Sequence, residues 1–189
     1  MRRRCSRCGP FGPNERAAQP GGFPIFVSPD SEWIYYHHGI SRTLWRVSAK
    51  TGEEQPVLKK ANYDFAVSPD GRQAAFAERQ GEGQILTVVS LADGRVVKNF
   101  HPTDKTAHFE NIAFLPDGKS LAYITTIDNF EKGFLWIQPI SDKPPRQIVS
   151  FSDAEANEDM KLAVSHDGKA FAIVQGGWRH DAVLIKGLK

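Results

Sequence analysis

The sequence has 189 residues, of which 40% are hydrophobic and 24% charged, with 16 glycines and 12 prolines. This composition is typical of a globular, slightly turn-rich chain and excludes a collagen-like or a wholly disordered protein. Because the net charge is only +2 and no apolar run approaches the ~20 residues of a membrane helix, neither a nucleic-acid partner nor a membrane span is predicted.

The first segment, residues 1–22, is predicted to be a disordered, basic tail. It carries five arginines against one glutamate, together with four glycines and three prolines, and it shows no apolar periodicity. No apolar stretch follows the arginines at 2–4, so the segment does not resemble a secretory signal. We therefore expect a cytoplasmic protein by default. A periplasmic or extracytoplasmic location is the alternative if the authentic N-terminus lies elsewhere.

This tail contains a C-x-x-C motif formed by Cys5 and Cys8. Such a pair supplies two of the four ligands that a structural zinc site needs, and the sequence has no second C-x-x-C or spaced histidine pair to supply the others. We interpret the two residues as free thiols and keep them only as weak metal candidates. No cofactor is predicted.

The remainder of the chain contains a repeated motif. Its four copies share an apolar run that ends in Ser-Pro-Asp or a variant of it, and they lie at 26–30, 66–70, 114–117 and 163–167. The aspartates Asp30, Asp70, Asp117 and Asp167 are 40, 47 and 50 residues apart, a period typical of solenoids and propellers. Ser-Pro-Asp-Gly favours a tight turn, because proline presets φ and glycine accepts a positive φ.

Each turn connects apolar runs of strand length. They precede the turns (25–27, 65–67, 112–114 and 162–164), follow them (33–36, 74–77, 121–124 and 171–174) and recur as a third run (44–47, 85–88, 135–137 and 183–185). A more polar fourth run follows in three copies, at 55–58, 95–97 and 146–149, and Thr51-Gly52 and Asp93-Gly94 are hairpin signals before two of them. Four antiparallel strands per copy, with a polar last strand, predict a propeller blade.

At these positions the sequence resembles the TolB-like and WD40-like β-propeller repeats, over about residues 23–189. The resemblance implies an all-β propeller of about four four-stranded antiparallel blades, at about 23–60, 61–101, 108–151 and 160–189. The last blade is expected to be incomplete, because no fourth run follows 183–185. Since rings of this family usually have six blades, a partial ring is implied. Three arrangements stay open: part of a longer propeller, pairing with itself or another chain through blade edges, or a small closed ring.

The ending at 176–185 is similar to the final blade of propellers fused to bacterial Ser/Thr kinases or winged-helix regulators. In those proteins the propeller is taken to be a sensory or interaction module.

The sequence contains no kinase glycine-rich loop, P-loop or G-x-S-x-G motif. Ser165-His166-Asp167 is interpreted as a variant turn, because three consecutive residues cannot form a triad among themselves. We therefore predict a non-catalytic binding or scaffold module. The alternatives are the accessory half of a prolyl-oligopeptidase-type hydrolase and a fragment of a larger propeller protein.

The predicted binding surface is formed by the loops between second and third strands, which share one face with the loops between blades. Arginine, histidine and tryptophan concentrate there, and loops on a rigid scaffold commonly carry binding. A protein partner is expected to contact the following residues: His37, His38, Arg42, Arg79, Asn129, Trp178, Arg179 and His180.

Overall fold

The architecture comes from a computed structural model, which describes residues 22–38, 43–58, 65–81, 83–127, 132–152, 161–176 and 180–186. Every regular element within these ranges is a β-strand. A search of the same ranges finds no helix that is long and apolar enough to cross a membrane.

Fifteen strands in the described part of the chain form four antiparallel sheets, each built from strands that are consecutive in sequence. Blade 1 contains β1 (Gly22–Val27), β2 (Trp33–His38), β3 (Thr43–Ser48) and β4 (Glu54–Leu58). Blade 2 contains β5 (Phe65–Val67), β6 (Gln73–Gln80), β7 (Gly83–Ser90) and β8 (Val96–Phe100). Blade 3 contains β9 (His108–Phe114), β10 (Ser120–Ile127), β11 (Lys132–Pro139) and β12 (Arg146–Ser152). Blade 4 contains β13 (Lys161–Val164), β14 (Ala170–Gly176) and β15 (His180–Lys186). The predicted all-β blades, including the three-stranded last blade, are confirmed.

The hydrophobic core lies between neighbouring blades, in three clusters that each combine residues of two adjacent sheets. The second strand of an inner blade contributes to two clusters, because its successive side chains point to opposite faces. In β10, Leu121 and Tyr123 pack toward blade 2, and Ala122 and Ile124 pack toward blade 4. All four are at most 2% exposed. Apolar residues at consecutive positions are therefore required in these strands.

The Ser-Pro-Asp-Gly turns have the predicted conformation. Gly71, Gly118 and Gly168 have φ values of +70°, +63° and +69°, and Ser31 has φ +59° at the same place in the first copy. In the second copy, Ser68 Oγ donates to Asp70 Oδ1 at 2.6 Å and accepts from Gln73 N at 2.8 Å. The serine therefore ties the turn to the first residue of the following strand.

The turns of successive blades also approach one another closely. A Cβ placed on Gly71 would lie 3.5 Å from Pro29 Cδ of the preceding blade, and one on Gly118 would lie 3.8 Å from Pro69 Cδ. A Cβ placed on Gly168 would lie 3.3 Å from Pro116 Cδ. A row of close proline–glycine approaches thus runs along one end of the four blades.

The four sheets follow one another around an axis, with their first strands innermost. Contacts connect β1 to β5, β5 to β9 and β9 to β13, and within the described ranges the ring is not closed between blade 4 and blade 1. The predicted partial ring is confirmed. The alternative of a small closed ring is wrong, because the described strands of the two end blades are not packed face to face.

Candidate functional site

The two ends of the blades differ in what they carry. We call the end with the Ser-Pro-Asp-Gly turns and the hairpins between third and fourth strands the turn end. At this end Leu91 N donates to Arg72 O at 2.8 Å, and Ile140 N donates to Lys119 O at 2.8 Å, so that each turn is bonded to its neighbouring hairpin. We call the opposite end, where second strands connect to third strands and blades connect to blades, the loop end. For blades 2 and 3 it includes Gly81 and residues 101–107.

Of the residues predicted from sequence to contact a partner, only Arg79 has a described side chain. It is exposed close to the end of β6, at the loop end. The backbones of His37 and His38 end β2 and that of His180 begins β15, but their side chains lie outside the described set. The other predicted contact residues, Arg42, Asn129, Trp178 and Arg179, are outside the described residues, as are the weak metal candidates Cys5 and Cys8. The predicted contact set therefore remains a prediction.

Sequence reasoning did not identify a cavity at the loop end, which lies between the β8–β9 connection and the second to fourth strands of blade 3. Its volume is about 600 Å³. Its buried and half-buried members come from the end of the β8–β9 connection and from β10 and β11: Ala107, Thr125, Ile127, Phe134 and Trp136. Its exposed rim is formed by Thr103, Asp104, Lys105 and Gln147.

The floor of the cavity combines two aromatic rings with one hydroxyl group. The ring centroids of Phe134 and Trp136 are 6.4 Å apart at an interplanar angle of 43°. The indole Nε1–H of Trp136 donates to Thr125 Oγ1 at 2.9 Å, and Thr125 is only 4% exposed. The three side chains lie on one face because Thr125 is paired with Phe134 in the sheet and Trp136 is two residues further along β11.

A short folded segment, residues 101–107, forms one side of the cavity. Asp104 Oδ1 accepts hydrogen bonds from both the backbone N–H and the hydroxyl of Thr106, each at 2.8 Å. The backbone hydrogen bond, followed by the hydroxyl bond, lowers the pKa of Asp104 below its ordinary value. Ala107 N closes the turn by donating to Asp104 O at 3.0 Å. The segment therefore presents an ionised carboxylate at neutral pH.

Blade 2 holds this segment from the other side. Gln84 Oε1 accepts the backbone N–H of Phe109 at 2.7 Å, directly after the segment. A Cβ on Gly83 would lie 3.3 Å from the carbonyl oxygen of Lys105, so the absence of a side chain permits this close approach. The hydrogen bond joins the start of β7 to the start of β9, and the close approach at Gly83 brings the start of β7 against the β8–β9 connection, so that both position the cavity wall.

Two sequence signals could have indicated this site. The first is the Asp104-x-Thr106 spacing, which favours a side-chain-capped turn in a connection that would otherwise be assigned as an ordinary loop. The second is the aromatic pair Phe134 and Trp136, two residues apart on one face of a strand near its loop end. No group of three or more metal-ligating side chains was found in the part of the chain that the structure describes.

Ser165-His166-Asp167 has the geometry of a turn. Ser165 Oγ donates to Asp167 Oδ1 at 2.7 Å and accepts from Ala170 N at 2.9 Å. The same two bonds occur at Ser68 and Asp70. His166 occupies the position of the proline and is exposed. The interpretation as a variant turn is confirmed.

Solved propeller structures resemble this chain. TolB from Acinetobacter baumannii superposes with a TM-score of 0.62 at 19% identity, covering 86% of this chain and 40% of that one. Hydrazine synthase from Kuenenia stuttgartiensis has a TM-score of 0.62 at 17% identity, covering 85% and 49% respectively. A prolyl endopeptidase structure has a TM-score of 0.58 at 18% identity, covering 88% and 26%.

These likenesses concern the fold. The chain spans less than half the length of each of the three structures. Their activities differ from one another, so the shared architecture does not carry a function with it. No protein-family model matches the sequence, and no curated protein matches it either. The strand order, the inter-blade cores and the structural neighbours together show that this protein has a TolB-like β-propeller fold.

Proposed function

We propose that this chain is a non-catalytic β-propeller module that binds a partner protein through its loop end. The observation that supports the proposal is the cavity between the β8–β9 connection and blade 3. Its volume of about 600 Å³ lies in the range of binding pockets, and it combines an aromatic floor with a polar, partly charged rim. Cavities of this kind, placed on rigid elements, are typical binding sites.

The cavity is preformed by the fold. The Asp104 turn, the Gln84–Phe109 hydrogen bond and the close approach at Gly83 all hold its wall in place. A partner therefore loses little affinity to the ordering of this surface, since the cost of fixing loop residues has been met during folding. Arg79, close to the end of β6, adds an exposed positive charge at the loop end.

The proposal is tested by partner recovery with matched charge reversals. The full chain is used as bait in the native host, partners are captured with a cleavable cross-linker, and each is quantified by mass spectrometry. Arg79→Glu and Lys105→Glu reverse charges at the loop end, and Lys119→Glu makes the same change at the turn end, where Lys119 is exposed. We expect the two loop-end variants to lower recovery of the partner about tenfold and the control to leave it unchanged.

Two results would contradict the proposal. One is a loss of the partner only in Lys119→Glu, which would assign binding to the turn end. The other is equal recovery by all four proteins. A recovered partner with a hydrolase domain would favour the alternative function, the accessory half of a split hydrolase.

A further inference from the structure

The cavity between the β8–β9 connection and blade 3 has an aromatic floor, one buried hydroxyl group and a polar rim without net charge. We propose that it binds the uncharged phenol ring of a tyrosine in an extended peptide segment of the partner, with Thr125 Oγ1 donating a hydrogen bond to the phenol oxygen. This inference rests on the proposed function, because it names the part of a partner protein that the loop end recognises.

The aromatic floor favours a third ring. Aromatic pairs are most stable in tilted or offset arrangements with centroids 4.5–7 Å apart, and Phe134 and Trp136 already stand in such an arrangement at 6.4 Å. Both rings are half-buried and line the cavity, so each has surface left to contact an occupant. Ile127 adds aliphatic surface beside them.

Thr125 supplies one directional polar group. A threonine hydroxyl has one proton and two lone pairs. Among the described residues its partner is the indole N–H of Trp136, which occupies a lone pair and leaves the hydroxyl proton to be donated. Thr125 is one of the residues that line the cavity, so an occupant that reaches the floor meets this side chain. A phenol oxygen on an otherwise apolar ring matches this requirement, whereas phenylalanine does not.

The charges of the cavity favour an uncharged ring. Asp104 and Lys105 are adjacent in sequence, opposite in sign and both exposed on the rim, so the lining has no net charge. A lysine or a carboxylate placed against Phe134 and Trp136 on the cavity floor would lose its water without a buried counter-ion, which is costly. The rim groups of Thr103 and Gln147 carry donors and acceptors that suit the peptide groups on either side of an inserted side chain.

The experiment follows the indole N–H signal of Trp136 in the full-length, isotope-labelled chain. The four tryptophans give four indole signals, and Trp136→Phe identifies the one that belongs to the cavity. The probes are blocked pentapeptides with a central tyrosine, phenylalanine or lysine between alanines, together with N-acetyl-tyrosinamide. We expect the tyrosine peptide to shift the Trp136 signal and to bind about three- to tenfold more tightly than the phenylalanine peptide. The lysine peptide should leave the signal in place.

Two neighbouring threonines provide a matched pair of variants. Thr125→Val removes the hydroxyl at nearly constant shape and should make the tyrosine and phenylalanine peptides bind equally. Thr126→Val is the control. Thr126 follows Ala122 and Ile124 on the face of β10 that packs toward blade 4, and its buried Oγ1 has no hydrogen-bond partner among the described residues. It should preserve the preference for tyrosine. The peptide comparison on the unmodified chain needs neither variant, so the proposal remains falsifiable if Thr125→Val fails to fold.

Each unfavourable outcome has a defined meaning. Equal binding of the tyrosine and phenylalanine peptides to the unmodified chain, or tightest binding of the lysine peptide, would overturn the phenol assignment. Binding of N-acetyl-tyrosinamide as tight as that of the peptide would overturn the peptide source and indicate a small phenolic ligand. If no peptide moves the Trp136 signal, the inference is wrong, while the proposed function still depends on the Arg79 and Lys105 variants.

Discussion

At the scale of single residues, the serine of each Ser-Pro-Asp-Gly turn has two roles. Ser68 is 1% exposed, donates to Asp70 and accepts the backbone N–H of Gln73. The bond from Ser68 is the main cause that lowers the pKa of Asp70, ahead of the opposing effect of burial. The same cause lowers the pKa of Asp30 and of Asp167 in the first and last copies. In these three turns the serine hydroxyl therefore favours the ionised form of the aspartate.

The first prediction concerns Ser68→Ala. It leaves the backbone N–H of Gln73 without its acceptor, so we expect unfolding free energy to fall by roughly 1–2 kcal/mol in denaturant titrations. It should also move the pKa of Asp70 upward, toward the ordinary value, in an NMR titration of the carboxyl group. A lowered carboxyl pKa gives stability that is present above about pH 4 and lost as pH falls through the folded-state pKa. In Ser68→Ala, the loss of stability on acidification should therefore be smaller than in the unmodified chain. Ser150→Ala, an exposed change in β12, is the control, and equal effects of the two would contradict the prediction.

At the scale of elements, the second strand of each inner blade is the most constrained part of the fold. β10 has a cluster of buried side chains on each of its faces, toward blade 2 and toward blade 4. The outer strand β8 is different, since Val96 and Val97 are 52% and 44% exposed. Truncation of an apolar side chain to alanine should therefore cost much more stability in β10 than in β8.

The second prediction compares Leu121→Ala in β10 with Val97→Ala in β8. Leu121 is fully buried in the cluster between blades 2 and 3, so its truncation should lower the unfolding free energy by about 2–5 kcal/mol. Val97→Ala should change it by less than about 0.5 kcal/mol. Thermal and denaturant unfolding of both variants provide the measurement. Similar costs would show that the inter-blade clusters do not carry the stability of the fold.

At the scale of the whole molecule, the open arc leaves the outward face of blade 1 without a neighbouring blade in the described structure. Phe26, Trp33 and Tyr35 pack toward blade 2, and Val27 and Ile34, which are paired in the sheet, lie on the other face. Val27 is 55% exposed, although valines at blade interfaces such as Val88 are fully buried. An apolar sheet face of this kind favours association.

The third prediction is that the purified chain associates in a concentration-dependent way through this face. Light scattering across a range of protein concentrations should show a rising mean mass, and Val27→Lys should reduce the rise. Val97→Lys places the same charge on an exposed outer strand and should leave the association unchanged. A constant monomer mass for the unmodified chain at all concentrations would contradict the prediction.

The repeated motif allows the architecture to be predicted from the sequence. The cavity could not be predicted in this way, and the reason is physical. Each blade is specified locally, by a turn whose glycine or serine adopts a positive φ and by apolar runs on either side of it. The cavity depends on side-chain contacts between strands, such as Gln84 with Phe109 of the next blade and Trp136 with Thr125 of the neighbouring strand, which no run of the sequence displays. Its wall also lies in residues 101–107, a connection that has no apolar periodicity to mark it. The partner-contact residues were predicted from the amino-acid composition of the loops instead. Of these residues, only Arg79 has a described side chain.

The proline–glycine row sets how closely neighbouring blades approach one another at the turn end. Pro29, Pro69 and Pro116 each face the turn glycine of the next blade, and a Cβ added to that glycine would lie 3.5, 3.8 and 3.3 Å from the proline Cδ. The spacing of the blades at this end therefore depends on a residue without a side chain. A larger residue at Gly168, where the added Cβ would come closest, would require Pro116 or the turn of blade 4 to shift.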